Sequence, residues 1–360
     1  MFNRKMITLA REARGLSQEQ LSNMLHGITQ ATLSNFETGR LDLNEDSVSK
    51  IAHALNFPIT LFKHEAQFNR ISKFYYRKRS SFPAKEIVPL EAKIDIIRRA
   101  YSEFLRSIEF EFKELPKIPV SGKNNPEVIA KYIRLFLGLN EGPIDNPVSI
   151  IEKIGIPVLF LDVKSDKFSG MVVETDKNKP LIVINKNMPN DHKKFTLAHE
   201  LGHLVMHNAF TEDPEFFERL EDRETVEKEA DRFAGAFLIP AEQARYTFRP
   251  LTYSRLSDLK LHWKVSKQAI IYRAKDLGII DDVKFKTLFI ELSRFGERKK
   301  EKLEIQIDEP KLLKMIINAF EKHLGYTTKS LAENIAGLNE SEFLDWFDIH
   351  RPGLKVVAKS

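Results

Sequence analysis

One stretch of the sequence decides how the second half of the chain folds: Phe195-Thr-Leu-Ala-His-Glu-Leu-Gly-His-Leu-Val-Met-His207. Its apolar residues form one stripe at helical spacing, its polar residues form another, and it contains no proline, so we predict a helix. His199 and His203 are four residues apart and therefore lie on one helix face, where both imidazoles reach the same ion. Glu200 lies beside them, where it can take a proton from a bound water but does not serve as a third ligand.

This spacing is typical of a zinc hydrolase. Two neutral imidazoles bind the ion, a carboxylate acts as general base, and the ion lowers the pKa of its bound water. The alternative interpretation is an amphipathic helix that carries two histidines by chance. The chain has no cysteine, so any metal ligand must be His, Asp or Glu.

The residues before this helix predict a β-hairpin. Residues 168–174 and 181–185 are rich in strand-forming side chains and flank a turn at 176–180. We expect the strand at 181–185 to be an edge strand that holds an extended peptide by main-chain pairing. Asn185 ends that strand and is a candidate for substrate contact or for support of the metal ligands.

A second, acidic helix is predicted at residues 223–237, and it offers the third ligand. Glu227 and Asp231 are four residues apart and share a face with small alanines that let the two helices approach closely. We assign Glu227 as the ligand and Asp231 as the group that orients a histidine through its free N–H. Glu224 remains a fallback ligand, and Glu229 is expected to point away. The alternative is that these acids form a solvated helix face.

Residues 140–240 resemble the ImmA/IrrE family of metallopeptidases. The matching segments are Gly142-Pro-Ile-Asp-Asn146, Gly155-Ile-Pro-Val158, Phe195 to His203 with His207, and Glu227-x-x-Ala-Asp-x-Phe-Ala234 leading into Leu238-Ile-Pro240. The resemblance implies a zincin-like α+β domain, Zn²⁺ as cofactor, and Glu227 as third ligand. His207, another family-typical position, is a candidate packing or substrate-contact residue. In this family the final motif is more often Leu-Met-Pro than the Leu238-Ile-Pro240 found here. Asn is also commoner than Asp at the position of Asp231. Neither departure removes a predicted metal ligand.

The N-terminal residues 5–62 predict a series of short helices separated by glycine turns. Ser17 is the predicted N-cap of the second helix, with Gln20 as its capping-box partner, and Thr29 opens the third helix. An apolar seam locks the second and third helices at a fixed angle: Leu21, Leu25, Ile28, Leu33 and Phe36. The exposed positions of the third helix are left for a ligand.

This region resembles the Xre, or lambda-repressor-like, helix-turn-helix family. The residues that carry the resemblance are Ala10-Arg-x-x-x-Gly15-Leu-Ser-Gln-Glu-Gln-Leu21, Gly27-Ile-Thr-Gln-x-Thr-Leu-Ser-Asn-x-Glu-x-Gly39-Arg40 and Ile51-Ala-x-Ala-Leu55. The candidate DNA-binding residues are Gln18, Thr29, Gln30, Thr32, Ser34, Asn35 and Arg40. Among these, Gln30 and Asn35 suit adenine edges in the major groove, whereas Gln18 and Arg40 suit phosphates. A four-helix protein-interaction module is the alternative.

Composition sets the class of protein and its compartment. The 360 residues are 42% hydrophobic and 30% charged, with a net charge of +5, as in soluble globular proteins. There is no apolar run of transmembrane length and no signal-peptide core, so we expect a cytoplasmic protein of prokaryotic or phage origin that does not bind membranes. Positive charge is concentrated at residues 70–79 and 298–300; the basic, aromatic residues 73–79 are a candidate for added phosphate contacts.

Together these features predict a multidomain protein that is mainly α with a small β-sheet. We divide it into a helix-turn-helix domain (1–62), a basic helical connector (63–125), a zincin-like α+β metallopeptidase domain (126–245) and a mostly helical C-terminal region (246–360). In the last region, Ser266 is a predicted N-cap, Gly278 a helix stop, and residues 303–307 a charged strand.

The two resemblances imply a regulator that binds a double-stranded DNA operator, forms a homodimer, and cleaves a cognate Xre-type repressor or antitoxin in response to stress. The alternative is a transcriptional regulator, or a toxin–antitoxin or phage-type module, whose metal domain senses or binds a partner with little proteolysis. Glu200 favours the enzyme, because a structural metal site needs no general base.

Overall fold

The computed structural model describes residues 2–42, 44–64, 83–139, 141–175, 179–207 and 223–349. Its N-terminal part consists of four short helices and a closing 3₁₀ turn: α1 (Arg4–Ala13), α2 (Gln18–Asn23), α3 (Gln30–Glu37), α4 (Glu45–Ala54) and Ile59–Lys63. The predicted capping box is confirmed, because the Ser17 hydroxyl accepts from the Gln20 backbone N–H while the Gln20 side chain accepts from the Ser17 N–H. Thr29 caps α3 through the backbone N–H of Thr32.

A long helix and an extended segment connect these helices to the second half of the chain. The helix α5 (Ala84–Ser107) lies within the segment predicted as a basic helical connector (63–125). The extended segment after it is held by backbone hydrogen bonds from Lys113 N–H to Ile154 O (3.0 Å) and from Ile118 N–H to Val205 O (2.9 Å). The C-terminal end of the predicted connector is therefore hydrogen-bonded to residues of the second half of the chain. The basic residues 73–79 and the turn residues 176–178 lie outside the described residues.

The middle of the chain forms a small sheet flanked by helices. In chain order the elements are α6 (Pro126–Phe136), α7 (Pro147–Lys153), β1 (Val158–Leu161), β2 (Gly170–Glu174), β3 (Pro180–Asn185), α8 (Asn190–Met206) and α9 (Arg223–Leu238). β2 and β3 pair antiparallel, which confirms the hairpin, and β1 pairs parallel to β3. The strand order is thus β1-β3-β2. The prediction that residues 181–185 form an edge strand is wrong, because β1 occupies the other side of β3.

Both faces of the sheet are buried, and each face belongs to a different hydrophobic core. Side chains on one face pack with α6, α8, α9 and later helices: Val158, Phe160, Val172, Ile182 and Ile184. Side chains on the other face join a core that also contains α1 to α5 and the last helices: Leu159, Leu161, Met171, Val173, Leu181 and Val183. Every position of the three strands is therefore buried, and apart from the terminal Glu174 and Asn185 the strands are apolar rather than alternating. The four-part division of the chain stays a prediction.

The C-terminal region is helical, as the fold class predicted from the sequence requires. Its helices are α10 (Ala241–Thr247), α11 (Leu256–Trp263), α12 (Lys267–Asp276), α13 (Asp282–Arg294), α14 (Leu312–His323), α15 (Thr328–Leu331), a π-helical turn (Ala332–Ala336) and α16 (Glu340–Trp346). Ser266 caps α12 as predicted. The strand predicted at 303–307 is wrong: these residues pair with no strand, and Ile305 O instead accepts from the Asn190 side chain (2.9 Å).

The last helices dock against the N-terminal helices. Arg14 Nη1 and Nη2 contact the Glu342 carboxylate at 2.5 and 2.8 Å, and the Asn339 amide donates to Asn56 O (2.9 Å). Gly337 has a φ of 68°, and a Cβ there would lie 2.7 Å from Leu61 Cδ1, so only glycine permits this close approach. The N-terminal helices and the last described helices therefore form one packed unit.

Among the described helices, none has both the length and the apolar character needed to cross a membrane.

Candidate metal centre and DNA-binding surface

Three side chains from α8 and α9 bring potential metal-ligand atoms together. The Nε2 atoms of His199 and His203 are 2.9 Å apart. The Glu227 carboxylate lies 3.6 Å from His199 Nε2 and 3.5 Å from His203 Nε2. All three ligand atoms lie within 4.8 Å of one another, and among the residues described by the structure no other such group of His, Asp or Glu side chains is found. The geometry therefore unites the three residues predicted as ligands.

The sequence brings the two helices this close by placing small residues between them. Ala230 and Ala234 of α9 are fully buried. Gly202, between the two histidines, faces the buried ring of Phe233; a Cβ on Gly202 would lie only 2.9 Å from Phe233 Cδ1. Ordinary contacts begin near 3.4 Å, so glycine at this position sets the distance between α8 and α9. Glu227 lies on the same helix as Phe233, so its distance from the two histidines depends on the separation of α8 and α9.

Each histidine that faces the centre has a partner on its second nitrogen. His199 Nδ1 lies 2.8 Å from Asp231 Oδ1. His203 Nδ1 lies 2.9 Å from His207 Nδ1, and His207 Nε2 lies 3.0 Å from Glu229 Oε2. These contacts are consistent with protons on the Nδ1 atoms of the first two histidines and on Nε2 of His207. Each Nε2 lone pair of the ligand pair then points to the centre, as a metal requires.

The charges of the site favour a cation. Burial lowers the pKa of His199, but hydrogen bonds to Asp231 and Glu227 outweigh it and raise the pKa to about 9. Burial raises the pKa of Glu227, but hydrogen bonds from His199 and His203 lower it far below its usual range. The same carboxylates that hold a proton here would stabilise a divalent ion. Burial lowers the pKa of His207 to about 4, which keeps its ring neutral at pH 7.

These residues fit Zn²⁺. Two imidazole nitrogens and one carboxylate oxygen, with a fourth position left for water, are a donor set of catalytic zinc sites. Glu200 is buried on the same helix, and its carboxylate is among the groups that raise the pKa of His199, so it lies near that ring. Glu200 is not one of the three grouped ligand residues, and its role as a base stays a prediction.

Three other polar residues considered in the sequence analysis are not among the grouped ligand atoms: Glu224, Glu229 and Asn185. Glu224 is exposed and contacts Lys228 at 2.6 Å. The expectation that Glu229 points away is wrong, since its carboxylate holds His207. Sequence reasoning missed this contact because residues 227 and 229 differ by roughly 200° around a helix. The Asn185 amide donates to Ser165 O (3.0 Å) and Phe168 O (2.9 Å) and holds the loop before β2.

The predicted DNA-binding residues lie at the start of α3 and around it. Thr29 and Gln30 are exposed at its N-terminus, whereas Thr32, Ser34 and Asn35 are partly exposed along it. The Thr29 and Thr32 hydroxyls are 2.9 Å apart, so this pair is engaged in the cap.

Two residues flank this helix and were predicted to contact phosphates. Arg40 is exposed just beyond α3. The Gln18 amide donates to Glu37 Oε2 (2.8 Å), and Glu37 is also held by Arg11 Nε at 2.8 Å. This buried network fixes α2 and α3 relative to α1. The DNA contacts of all seven residues stay predictions.

Fold and site together define the class of protein: a helix-turn-helix domain joined to an α+β domain with a His-Glu-x-x-His helix. Two family models match the chain: the helix-turn-helix model at residues 7–62 and the IrrE N-terminal-like domain, a peptidase M78 model, at residues 151–275. Residues 7–62 are therefore an Xre-type helix-turn-helix domain and residues 151–275 an IrrE N-terminal-like domain, which confirms the fusion that the two resemblances predicted.

Solved structures and curated proteins add little to this assignment. The chain is similar to a Mycobacterium tuberculosis transcriptional regulator, with 18% identity and a TM-score of 0.31 over 41% of this chain. It spans less than half of that regulator, 45% of its length. No curated protein matches the sequence.

Proposed function

We propose that this regulator is also a zinc-dependent metalloendopeptidase that cleaves a cognate Xre-type repressor or antitoxin in the cytoplasm of a prokaryotic or phage-carrying cell. The observation that carries the proposal is the convergence of His199, His203 and Glu227 beside the buried Glu200. A structural metal site has no use for an extra carboxylate at its edge, whereas peptide hydrolysis needs a base there.

The chain's residues have distinct tasks in this reaction. Zn²⁺, when bound, polarises the scissile carbonyl and lowers the pKa of water. Glu200 takes a proton from the attacking water and passes it to the leaving amine. Asp231 and His207 hold the two ligand histidines in the tautomer that frees Nε2. Burial of His199, Glu200 and His203 places them in a low-dielectric environment, which strengthens these interactions.

The substrate is proposed to pair with the edge of β2. β3 is central, so its main chain has no free side, while β2 is paired on one side by β3. α8 packs against both β2 and β3, which makes β2 the edge strand next to the histidine helix. An extended peptide that adds to β2 gains main-chain hydrogen bonds without a sequence requirement. A DNA-binding partner with an exposed loop is a fitting substrate for a protein that itself binds DNA.

The test compares wild-type protein with Glu200→Gln, each loaded with zinc and incubated with repressors encoded beside the gene. We expect cleavage by wild type and a loss of about 10²–10⁴-fold in rate for Glu200→Gln at equal zinc content. Glu224→Gln is the matched control, because Glu224 is an exposed acid of α9 that contacts Lys228. Equal cleavage by Glu200→Gln would refute the role of the base. Loss of zinc in Glu224→Gln would instead assign Glu224, not Glu227, as the third ligand.

The second candidate function is a regulator, or a toxin–antitoxin or phage-type module, whose metal domain senses a partner without proteolysis. The observation that favours this function is the hydrophobic core that the sheet shares with the N-terminal helices. Through this shared core, a conformational change at the metal domain would be transmitted to the helix-turn-helix domain. The discriminating measurement is operator affinity with and without zinc in Glu200→Gln. A zinc-dependent change with no cleavage by wild type would support this function.

The DNA part of the proposal is tested on the double variant Gln30→Ala with Asn35→Ala. We expect it to lose selectivity for the operator while it keeps salt-sensitive binding to other DNA, because backbone contacts are unaffected. Selectivity equal to wild type would contradict the assignment of α3 as recognition helix. Sedimentation of the protein with and without operator tests the expected homodimer.

A further inference from the structure

The outward face of α6 is unusually apolar for a helix at the surface of a protein. The inner face packs into the core through Ile129, Ala130 and Ile133. The exposed side chains of the helix are Val128, Lys131, Tyr132 and Leu135. A surface helix normally presents charged and polar side chains to solvent. Here three of the four exposed side chains are hydrophobic, and they are uncovered within the described part of the chain.

The apolar surface continues from α6 onto α10. Lys131 Nζ donates to Glu242 Oε1 at 3.2 Å, so the exposed face of α6 adjoins α10. Tyr246 follows Glu242 by one helical turn and is 87% exposed. We call this surface the α6 patch, and it consists of Val128, Tyr132, Leu135 and Tyr246 with the ion pair of Lys131 and Glu242.

The α6 patch is held rigidly by the residues behind it. Arg134 Nη1 donates to Phe237 O (2.6 Å), and Arg134 Nη2 donates to Gly142 O (2.8 Å). At the start of the helix, Arg273 Nη2 donates to the Glu127 carboxylate (2.8 Å). A partner therefore meets a preformed surface and loses little free energy to the ordering of α6.

The area of the α6 patch matches half of a small protein–protein interface. Leu135 is 67% exposed, and Val128 and Tyr132 are 49% exposed each. An aromatic side chain buries about 150–250 Å², so with Tyr246 the four side chains present on the order of 500 Å². Two such patches in contact would bury about 1,000 Å², which is the lower limit for a specific interface.

The charges of the α6 patch suit a second copy of this chain. Lys131 and Glu242 have opposite signs, so two copies can face each other without net repulsion between these side chains. The exposed stripe on α13 differs in this respect. Beside Val283 and Ile290, its exposed charged residues are Lys286 and Arg294, both positive, so two copies of that face would repel each other.

The spacing of the apolar side chains on α6 also suits a contact between two identical helices. Val128, Tyr132 and Leu135 are four and then three residues apart, which is the spacing of the apolar positions in paired helices. When two copies of α6 cross antiparallel about a two-fold axis, Val128 of each copy lies opposite Leu135 of the other. The two Tyr132 rings then meet near the axis.

We propose that the α6 patch is the surface through which two copies of this chain form a two-fold symmetric homodimer. The helix-turn-helix domain gives an independent reason for two copies, because such domains read paired half-sites on DNA as dimers. The proposal rests on the homodimer expected above and adds the surface that forms it. It requires neither zinc nor cleavage.

The experiment measures the dimer dissociation constant of the full chain by sedimentation velocity over a range of concentrations, without DNA. We expect Leu135→Glu to raise this constant by about 100-fold, because two buried leucines are lost per dimer. Ile290→Glu is the matched control, since Ile290 is also 67% exposed but lies on α13. It should keep the wild-type constant. Circular dichroism of both variants checks that the fold is retained.

A second pair of variants tests the symmetry of the contact. Lys131→Glu gives each copy two acids in the patch, and Glu242→Lys gives each copy two bases. Each variant alone should dimerise about tenfold more weakly than wild type, whereas an equal mixture of the two should form a heterodimer. A mixture that associates no better than the separate variants would overturn the two-fold contact.

The remaining outcomes separate the surface from the homodimer itself. A wild type that is monomeric at every concentration would refute both. A dimer that Leu135→Glu leaves intact would refute the α6 patch alone, as would an equal loss of association in Ile290→Glu. Either result on the surface leaves the comparison of wild type with Glu200→Gln unaffected, so the proposed peptidase activity is judged separately.

Discussion

Gly202→Ala tests whether the distance between α8 and α9 controls metal binding. The added methyl would lie 2.9 Å from Cδ1, 3.2 Å from Cγ and 3.4 Å from Cβ of Phe233. The shortest contact falls about 0.5 Å below an ordinary one. Phe233 cannot swing aside, because it is buried and stacks on Phe237 with centroids 5.7 Å apart. The helices must therefore separate, and Glu227 moves with α9.

The magnitude follows from two opposing terms. Overpacking of this kind costs about 1–3 kcal/mol, whereas alanine favours a helix interior over glycine by about 1 kcal/mol. The free energy of unfolding of the metal-free protein should therefore fall by only about 0–2 kcal/mol. Zinc affinity should fall much more, by about 10–100-fold, as when a metal ligand loses its support.

Competition with a chromophoric chelator measures the zinc affinity, and denaturant unfolding measures the stability of the same samples. Gly235→Ala is the matched control in α9, because a Cβ there would lie 3.6 Å from Arg273 Cδ, an ordinary contact. It should keep wild-type zinc affinity. Wild-type affinity in Gly202→Ala, or an equal loss in Gly235→Ala, would refute the reasoning.

Three further changes probe the surroundings of the site and the docking of the chain ends. Because the pKa of His199 is raised to about 9, its proton competes with the metal below that pH. Zinc affinity should therefore rise about tenfold per pH unit from 7 towards 9, and Asp231→Asn should flatten this dependence; a flat wild-type profile would contradict it. Glu229→Gln weakens the hold on His207 and should lower zinc affinity about tenfold, and an unchanged chelator titration would show that the contact is unimportant. Glu342→Gln removes an ion pair between α16 and α1 and should lower the free energy of unfolding by about 1 kcal/mol; an unchanged denaturation midpoint would contradict this.

The pairing of His199 with His203 could be predicted because its geometry is local, whereas the choice of Glu227 on the second helix relied on the family resemblance. His199 and His203 lie on one helix face whatever the rest of the fold does, and the spacing of Glu227 and Asp231 follows the same rule. Glu229 could not be predicted, because its contact depends on how α9 crosses α8. The contacts of Asn185 could not be predicted either, because its amide donates to backbone oxygens of residues 165 and 168, about twenty residues earlier in the chain.

The errors in the sheet and the C-terminal region have a common cause. A hairpin signal relates neighbouring residues, so the pairing of β2 with β3 was visible in the sequence. The parallel pairing of β1 was not, because it brings Val158 beside Ile182 although β2 lies between the two strands in the sequence. Contacts such as that of Arg14 with Glu342, 328 residues apart, leave no periodic trace in the sequence.

The burial of both sheet faces has a consequence for dissecting the protein into pieces. Excising residues 126–245 as a protease fragment would strip Leu159, Met171, Val183 and their neighbours of the helices that cover them. A contiguous apolar patch of that kind drives aggregation or recruits a substitute partner. An inactive fragment would therefore say nothing about the metal site. Residues 126–245 are not separable from the N-terminal helices, because one face of their sheet shares a hydrophobic core with those helices.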